Sequence, residues 1–461
     1  MSQLHPLAPG YLVPNADPNA LAVGVWPEGT RRTDATIEMG GVGLDALAAE
    51  YGTPLMVIDE QVLRDRAAAI RQIFERAFSP LHNEVHVYYA GKALLTIDVA
   101  RMVAAEGLRI DVCSGGELAV ALAAQVPGDR IGFHGNNKST SEIEAAVAAG
   151  VGTIVVDSEI EIERIAQAAA AAGVSQAVRL RINVGVHAST HEYLATSHED
   201  QKFGVTIDDA SRLVERIRSF ESLRFLGLHT HIGSQIVAHE GFIESARRML
   251  ELHASLLGDG PVPELNLGGG FGIRYVESDE EPSLADFAKA LAEFLRGECE
   301  RLSIPIPAVA FEPGRWIAGP AGVTVYTVGT VKRVQLGDSE RVYVSVDGGM
   351  SDNARPALYE AHYSARLANR ESEAPAVLAR VAGKHCESGD IVVDAEWLPG
   401  DVQAGDLLAV PATGAYCASL SSNYNYLMRP AMVAVAGGNS RVLVRRETMD
   451  DLLARDAGRQ G

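Results

Sequence analysis

Between residues 85 and 312 the chain repeats one pattern: a short run of β-formers, a glycine or polar break, then an alanine-rich amphipathic helix. Eight strand-like runs are read at 85–90, 109–113, 130–134, 153–157, 178–184, 225–231, 264–267 and 308–312. Helices fall between them, for example at 116–125, 141–149 and 158–172. Each crossover helix returns the chain to the same end of the sheet, so the strands must run parallel. Eight such units predict an α/β fold closed as a (β/α)8 TIM-type barrel, ahead of an open doubly wound sheet. Such barrels carry their chemistry at the C-terminal ends of the strands. Those ends read Gly91-Lys92, Ser114-Gly-Gly-Glu117, Gly135-Asn-Asn-Lys138, Ser158, Gly185, Gly233-Ser234-Gln235, Gly268-Gly-Gly270 and Pro313-Gly-Arg315. Ser114, Ser141 and Ser158 serve equally well as helix N-caps.

The flanks read differently. Residues 1–53 hold early prolines and glycines and no long periodic helix, which predicts an N-terminal segment packing with the β domain. A strand at 54–59 and an Arg-rich helix at 60–78 open the regular part, and the barrel domain is placed at 54–322. From 323 to 461 the period changes to alternation broken by Gly, Pro and Asp turns, which predicts a second, all-β domain of Greek-key-like barrel type. A short helix closes the chain at 448–455. The net charge of −20 argues against a nucleic-acid or membrane-surface protein. Apolar runs are too short and too broken for a membrane span, and the N-terminus lacks a signal-peptide layout. Cys113, Cys299, Cys386 and Cys417 are far apart, as expected of free thiols in a reducing cytoplasm.

Several stretches carry chemistry. Lys92 follows an apolar strand, so in a barrel it points into the mouth, where partial desolvation and nearby cations lower its pKa and make the amine nucleophilic. Otherwise it is a surface lysine whose stem alone is covered. His229 and His231 lie two apart in a strand and share a face. A zinc site is disfavoured, because no carboxylate or thiol with ligand spacing follows. A flat imidazole at 231 suits stacking on a flat cofactor, and Ser234 offers a hydroxyl to a phosphate. Gly268, Gly269 and Gly270 let backbone N–H groups converge on an anion, where barrels hold phosphate. The spacing is not that of a dinucleotide fingerprint. Glu312 suits a protonated pyridine nitrogen, and Arg315 suits a phosphate or carboxylate. In the β domain, polar patches at 351–359, 383–390 and 414–424 are either solvated loops or the second wall of a pocket.

Taken in order, Tyr-Ala-Gly-Lys92-Ala, His231-Ile-Gly-Ser-Gln, the triple glycine, Glu312-Pro-Gly-Arg, Asp347-Gly-Gly-Met, Cys386-Glu-Ser-Gly-Asp and Gly-Ala-Tyr416 span nearly the whole chain. The sequence resembles the diaminopimelate decarboxylases, barrel-type pyridoxal-phosphate decarboxylases with ornithine and arginine decarboxylases as relatives. One departure is Gly91, with Leu94-Leu95 beyond Lys92, where many relatives read Ala-x-Lys-Ala-Asn. The role of that Asn is absent here.

The resemblance implies decarboxylation of meso-2,6-diaminopimelate to L-lysine and CO2, the last step of bacterial lysine biosynthesis, with pyridoxal 5'-phosphate and no metal. It makes Lys92 the Schiff-base lysine and Cys386 the proton donor. Lys92, Asp111, His231, Ser234, Gly268, Gly269, Gly270, Glu312, Gly314, Arg315 and Tyr416 would bind the cofactor. Arg315, Arg355, Tyr359, Glu387 and Tyr416 would bind the substrate, the arginines and Tyr359 taking its distal carboxylate and Glu387 its distal ammonium. A homodimer with shared active sites is implied, and the insertion at 187–201 would be a lid. Ornithine or arginine decarboxylation is the nearest alternative, but those substrates have no distal carboxylate for the arginines. An alanine racemase relative would carry Arg at 312. A non-catalytic pyridoxal-phosphate carrier or regulator is the remaining alternative, against which Lys92, Cys386 and the β domain all stand.

Overall fold

The computed structural model describes residues 5–459 apart from 15, 34–35, 187–200 and 281. The expected lid at 187–201 therefore lies, but for its last residue, outside the described residues. The chain forms two compact units, one of Arg64–Gly272 with Pro282–Trp316, the other of Met1–Leu63, Ile273–Glu281 and Ile317–Gly461.

The first unit is the expected barrel. Its strands are β1 (Val85–Ala90), β2 (Arg109–Val112), β3 (Ile131–Phe133), β4 (Thr153–Val156), β5 (Gln176–Asn183), β6 (Leu223–His229), β7 (Glu264–Asn266) and β8 (Ala308–Phe311). Neighbours in sequence pair in parallel all the way round, and β8 closes on β1. The helices start where capping side chains take up orphan N–H groups. Ser114 accepts from Glu117 N–H, while Ser139 and Glu142 form a capping box. The cap of that second helix is thus Ser139, and Ser141, the expected cap, lies inside it.

Alternation along each strand sets the barrel interior in layers. Near the N-terminal ends, Arg179 of β5 donates to Glu264 of β7 at 2.6 and 2.9 Å and to the Tyr88 hydroxyl of β1 at 3.0 Å. Two residues further along those strands stand Arg181, Asn266 and, on β6, His229. Register places Arg181 opposite His229 and His229 opposite Asn266. The lower layer is a buried ion pair that closes the barrel, and the upper layer floors the mouth.

The second unit is β-rich. Its strands include β9 (Gly322–Leu336), β10 (Ser339–Val346), β11 (Ala376–Ala382), β12 (Ile391–Pro399), β13 (Leu407–Pro411), β14 (Ala431–Ala436) and β15 (Asn439–Val444). One sheet runs β12-β11-β10-β9, then Leu55–Asp59, then β14-β15, with β13 also on β9. The expected second, all-β domain is thus present, its strands joined in one branched sheet.

The strand Leu55–Asp59 corrects the expected boundary. Its periodicity assigns it to the barrel domain, yet it lies between β9 and β14 and is buried along its whole length. A strand followed by an amphipathic helix reads in sequence like any barrel unit, and only pairing reveals which sheet it enters. In the N-terminal segment, Val25, Trp26, Ile37, Met39, Leu44 and Leu47 share one core with Val323, Val325 and Val433 of the sheet.

Candidate active site

Lys92 sits in the short turn Gly91–Ala93 that ends β1. That turn is fixed from both sides by backbone. The Ala90 N–H donates to Pro313 O at 2.9 Å, and a side chain at Gly314 would press on Ala90 O and Ala93 Cβ, both at 3.0 Å. The Glu312-Pro-Gly loop and the lysine turn therefore need each other's shape. The Lys92 ammonium is close enough to act electrostatically on Asp111, Cys113, Glu117 and His231.

Below it the mouth is lined by buried polar groups. Glu312 Oε1 accepts from the Asn266 amide at 2.7 Å and lies 3.0 Å from His229 Nε2 and 3.6 Å from His134 Nε2. His134 Nε2 is also 3.0 Å from Asp111 Oδ1. Burial drives the carboxyl of Asp111 well above its ordinary range, reinforced by the charge of Glu312. Burial acts in the same direction on Glu312, but the facing His229 and His134 and the Asn266 amide outweigh it and hold Glu312 well below. The two buried carboxyls are thus pushed in opposite directions, Asp111 towards its neutral form and Glu312 towards its charged one. Desolvation pulls His134 and His229 each down to about 4, and His231 well below its ordinary value with Lys92 adding to the effect. All three imidazoles are neutral at neutral pH.

Both Asp111 carboxylate oxygens, His134 Nε2 and both His229 ring nitrogens are buried without an aligned hydrogen-bond partner. Buried polar atoms without partners are uncommon and point to a ligand. His134, His229 and Glu312 also bring their ligand atoms within 4.8 Å of one another, the spacing of a metal set. The expectation that no carboxylate joins His229 is corrected here, because Glu312 arrives from another strand. One ionised carboxylate among neutral imidazoles also fits a flat protonated pyridine ring, and Asp111 and the histidines would surround it.

The phosphate expectation is sharpened. A side chain at Gly268, Gly269 or Gly270 would collide with Thr230 O (2.4 Å), Glu312 O (1.9 Å) or Gly233 O (2.3 Å), so the triple glycine is first a packing requirement of three adjacent loops. Two of its N–H groups are engaged internally. Gly268 donates to the Asn266 side chain at 2.9 Å and Gly269 to His231 Nδ1 at 3.3 Å. Only Gly270 keeps an N–H without a partner among the described residues. Arg315 Nη2 donates to the Ser234 hydroxyl at 2.8 Å, which sets a guanidinium and a hydroxyl together beside the glycine loop. An N–H, a hydroxyl and a guanidinium together suit a phosphate. These residues fit pyridoxal 5'-phosphate at both its ring and its phosphate.

The remaining predicted residues belong to the β unit. Arg355 is buried, and Tyr359 is exposed at the end of the same short helix, Arg355–Tyr359. Cys386 and Glu387 are exposed on a loop whose shape Asp390 dictates, since its carboxylate accepts the N–H groups of His385 and Met350, each at 2.7 Å. The Cys386 N–H donates to Asn425 Oδ1 at 3.2 Å, and the Tyr424 ring stacks on His385 with centroids 5.2 Å apart. Tyr416 is half-buried with φ of 65°, just past Gly414, where any side chain would strike Ala318 O. Sequence reading missed His134, Arg181 and Asn266. Its available signal was polar residues two apart in otherwise apolar strands, as in Arg179-Leu-Arg181 and Glu264-Leu-Asn266.

The fold and this pocket define a barrel-type pyridoxal-phosphate enzyme acting on amino acids. The family model for the pyridoxal-binding domain of pyridoxal-dependent decarboxylases matches residues 67–319, more than half of the chain. A diaminopimelate decarboxylase of Mycobacterium tuberculosis is 50% identical over 444 residues, covering 94% of this chain and 98% of that one. One of Bacillus subtilis is 43% identical over 426 residues, covering 91% and 95%. The crystal structure of diaminopimelate decarboxylase from M. jannaschii in co-complex with L-lysine is similar at a TM-score of 0.87 and 31% identity, covering 93% and 98%. The chain belongs to the diaminopimelate decarboxylase family.

Proposed function

We propose that the protein releases CO2 from meso-2,6-diaminopimelate to give L-lysine, with Lys92 as the covalent anchor of pyridoxal 5'-phosphate and Cys386 as the proton donor. The observation that carries the residue assignment is the buried Glu312 carboxylate, held by the Asn266 amide at 2.7 Å and 3.0 Å from His229 Nε2, at the end of the strand that pairs with the one leading to Lys92. When bound, the cofactor supplies an electron sink for the pair left by the departing carboxylate. Glu312 keeps a proton on the ring nitrogen, which preserves that sink. His231, two residues past the end of β6, would stack on the ring. Ser234, Gly270 and Arg315 hold the phosphate, joined by Tyr416. Arg355 and Tyr359 orient the distal carboxylate, and Glu387 takes the distal ammonium. Cys386 returns a proton to the carbon that has lost CO2.

Lys92, His231 and Glu312 stand in the barrel unit, and Arg355, Cys386 and Glu387 in the β unit. In this reading the protein is a homodimer, and the β unit of one subunit faces the barrel mouth of the other. Exposed Leu358, Tyr359, Leu420, Tyr424, Tyr426 and Met428 supply apolar surface of the kind that interfaces use. Among the described residues no helix is long and apolar enough to cross a membrane. The proposal places the reaction in the cytoplasm, where lysine is made.

The test is a comparison of kcat/KM for meso-diaminopimelate and L-ornithine. Leaving buried arginine charge unmatched lowers transition-state binding by several kcal/mol, so diaminopimelate should be preferred by at least about a hundredfold. Comparable turnover of ornithine would remove the role given to Arg355 and Tyr359.

A further inference from the structure

Arg355 is only 6% exposed and has no acidic partner among the described residues. A buried guanidinium normally carries a carboxylate with it, because desolvation of an unmatched charge is costly. Neutral groups hold this one instead. Its Nη1 donates to the Tyr363 hydroxyl, and its guanidinium carbon lies 4.4 Å from the centroid of the Tyr275 ring and 5.5 Å from that of Tyr363. The two tyrosine rings meet edge to face at 5.2 Å.

The hydroxyl of Tyr363 accepts from Arg355, so its own proton must go elsewhere, and Cys417 Sγ lies 3.7 Å away. The Cys417 thiol donates in turn to Asn353 Oδ1 at 3.5 Å. Asn353 Oδ1 also accepts the backbone N–H of Arg355 at 3.4 Å. Guanidinium, phenol, thiol and amide thus form a closed ring of hydrogen bonds that begins and ends on Arg355. Tyr363 and Cys417 are fully buried and Asn353 is 1% exposed, so water does not compete. Nothing in the ring carries a negative charge, and the guanidinium keeps its full positive charge for an incoming anion. Cation–π contact and neutral hydrogen bonds offset part of the desolvation cost without cancelling the charge.

We infer that Tyr363, Cys417 and Tyr275 are positioning residues for specificity. They fix Arg355 as a preformed receptor for a carboxylate at the substrate end remote from the reacting carbon. This rests on the reading of Arg355 given above. The product L-lysine keeps that remote carboxylate, whereas cadaverine is the same chain without it. The pair therefore reports on the receptor alone.

The experiment measures calorimetric affinity of the holoenzyme for L-lysine and for cadaverine, with KM and kcat for meso-diaminopimelate, in wild type, Tyr363→Phe, Cys417→Ala, Cys417→Ser and Arg355→Ala. Tyr363→Phe removes one hydrogen bond to a charged group, so L-lysine affinity should fall about tenfold and KM should rise about tenfold. Cadaverine affinity and kcat should stay within about twofold. Cys417→Ala should reproduce part of this loss, and Cys417→Ser, which can still accept and donate, should restore it. The proposal is overturned if Tyr363→Phe leaves L-lysine affinity unchanged, or weakens cadaverine equally, while Arg355→Ala abolishes L-lysine binding. If Arg355→Ala itself leaves L-lysine binding intact, it is the assignment of Arg355 that fails, and the receptor falls with it.

Discussion

At Glu312 burial and hydrogen bonding act in opposite directions. Removal from water raises a carboxyl pKa, and two facing imidazoles with an amide donor lower it. The second effect wins at Glu312, while Asp111, the other buried carboxyl, is pushed upward by burial and by the charge of Glu312. Sequence pointed to Glu312 and to its purpose, but not to how its charge survives. His134, Asn266 and Asp111 come from three different strands, and only barrel closure makes them neighbours. Glu312→Gln keeps the shape and an acceptor but loses the charge that keeps a ring nitrogen protonated. With cofactor still bound, kcat should fall roughly 10²–10³-fold, the scale of losing one preorganised electrostatic group. Steady-state kinetics on the fully loaded variant would measure it, and a loss below threefold would deny Glu312 this role.

Among the elements, the helix Glu240–Leu256 gives a test free of the active site. Its inner face is apolar except for Ser245 and His253, the latter 1% exposed, with its Nδ1 lacking a hydrogen-bond partner among the described residues. Desolvation alone takes His253 down to about 4. The folded pKa lies below the unfolded one, so the unfolded chain binds the extra proton at acidic pH. Stability is therefore unaffected above about pH 6.5 and is lost as pH falls from there towards 4. His253→Leu removes this proton uptake. The Tm gap between variant and wild type should widen in favour of the variant from pH 7 to pH 5, by roughly 2–8 °C for roughly 1–2 kcal/mol. Equal Tm losses for both proteins would show that His253 is not buried neutral. Element order was readable in the sequence because strand and helix periods differ and the breaks are rich in glycine and serine. The Leu55–Asp59 strand was misplaced because periodicity reports that a strand is buried on both faces, not which sheet buries it.

At the scale of the molecule, the sequence carried the barrel and the β-rich unit, while in the proposed reading their two residue sets are joined by a second copy of the chain. Motifs at Lys92 and at Cys386 read as separate loops. Their spacing of nearly three hundred residues in the chain says nothing about which subunit each one serves. The account's central claim is that Lys92 of one subunit and Cys386 of another complete one decarboxylation site. Lys92→Ala and Cys386→Ala homodimers should each be nearly inactive, because losing a positioned proton donor alone slows turnover roughly 10²–10⁴-fold. In a twofold dimer each chain lends its residues to both sites, so a mixed dimer has one site with both lesions and one with neither. The measurement is CO2 release from meso-diaminopimelate after equal amounts of the two variants are dissociated and reassembled together. The account predicts about half mixed dimers and the return of about a quarter of wild-type activity. No return of activity in a mixture shown to contain hybrids would contradict it, since the two residues would then act within one chain.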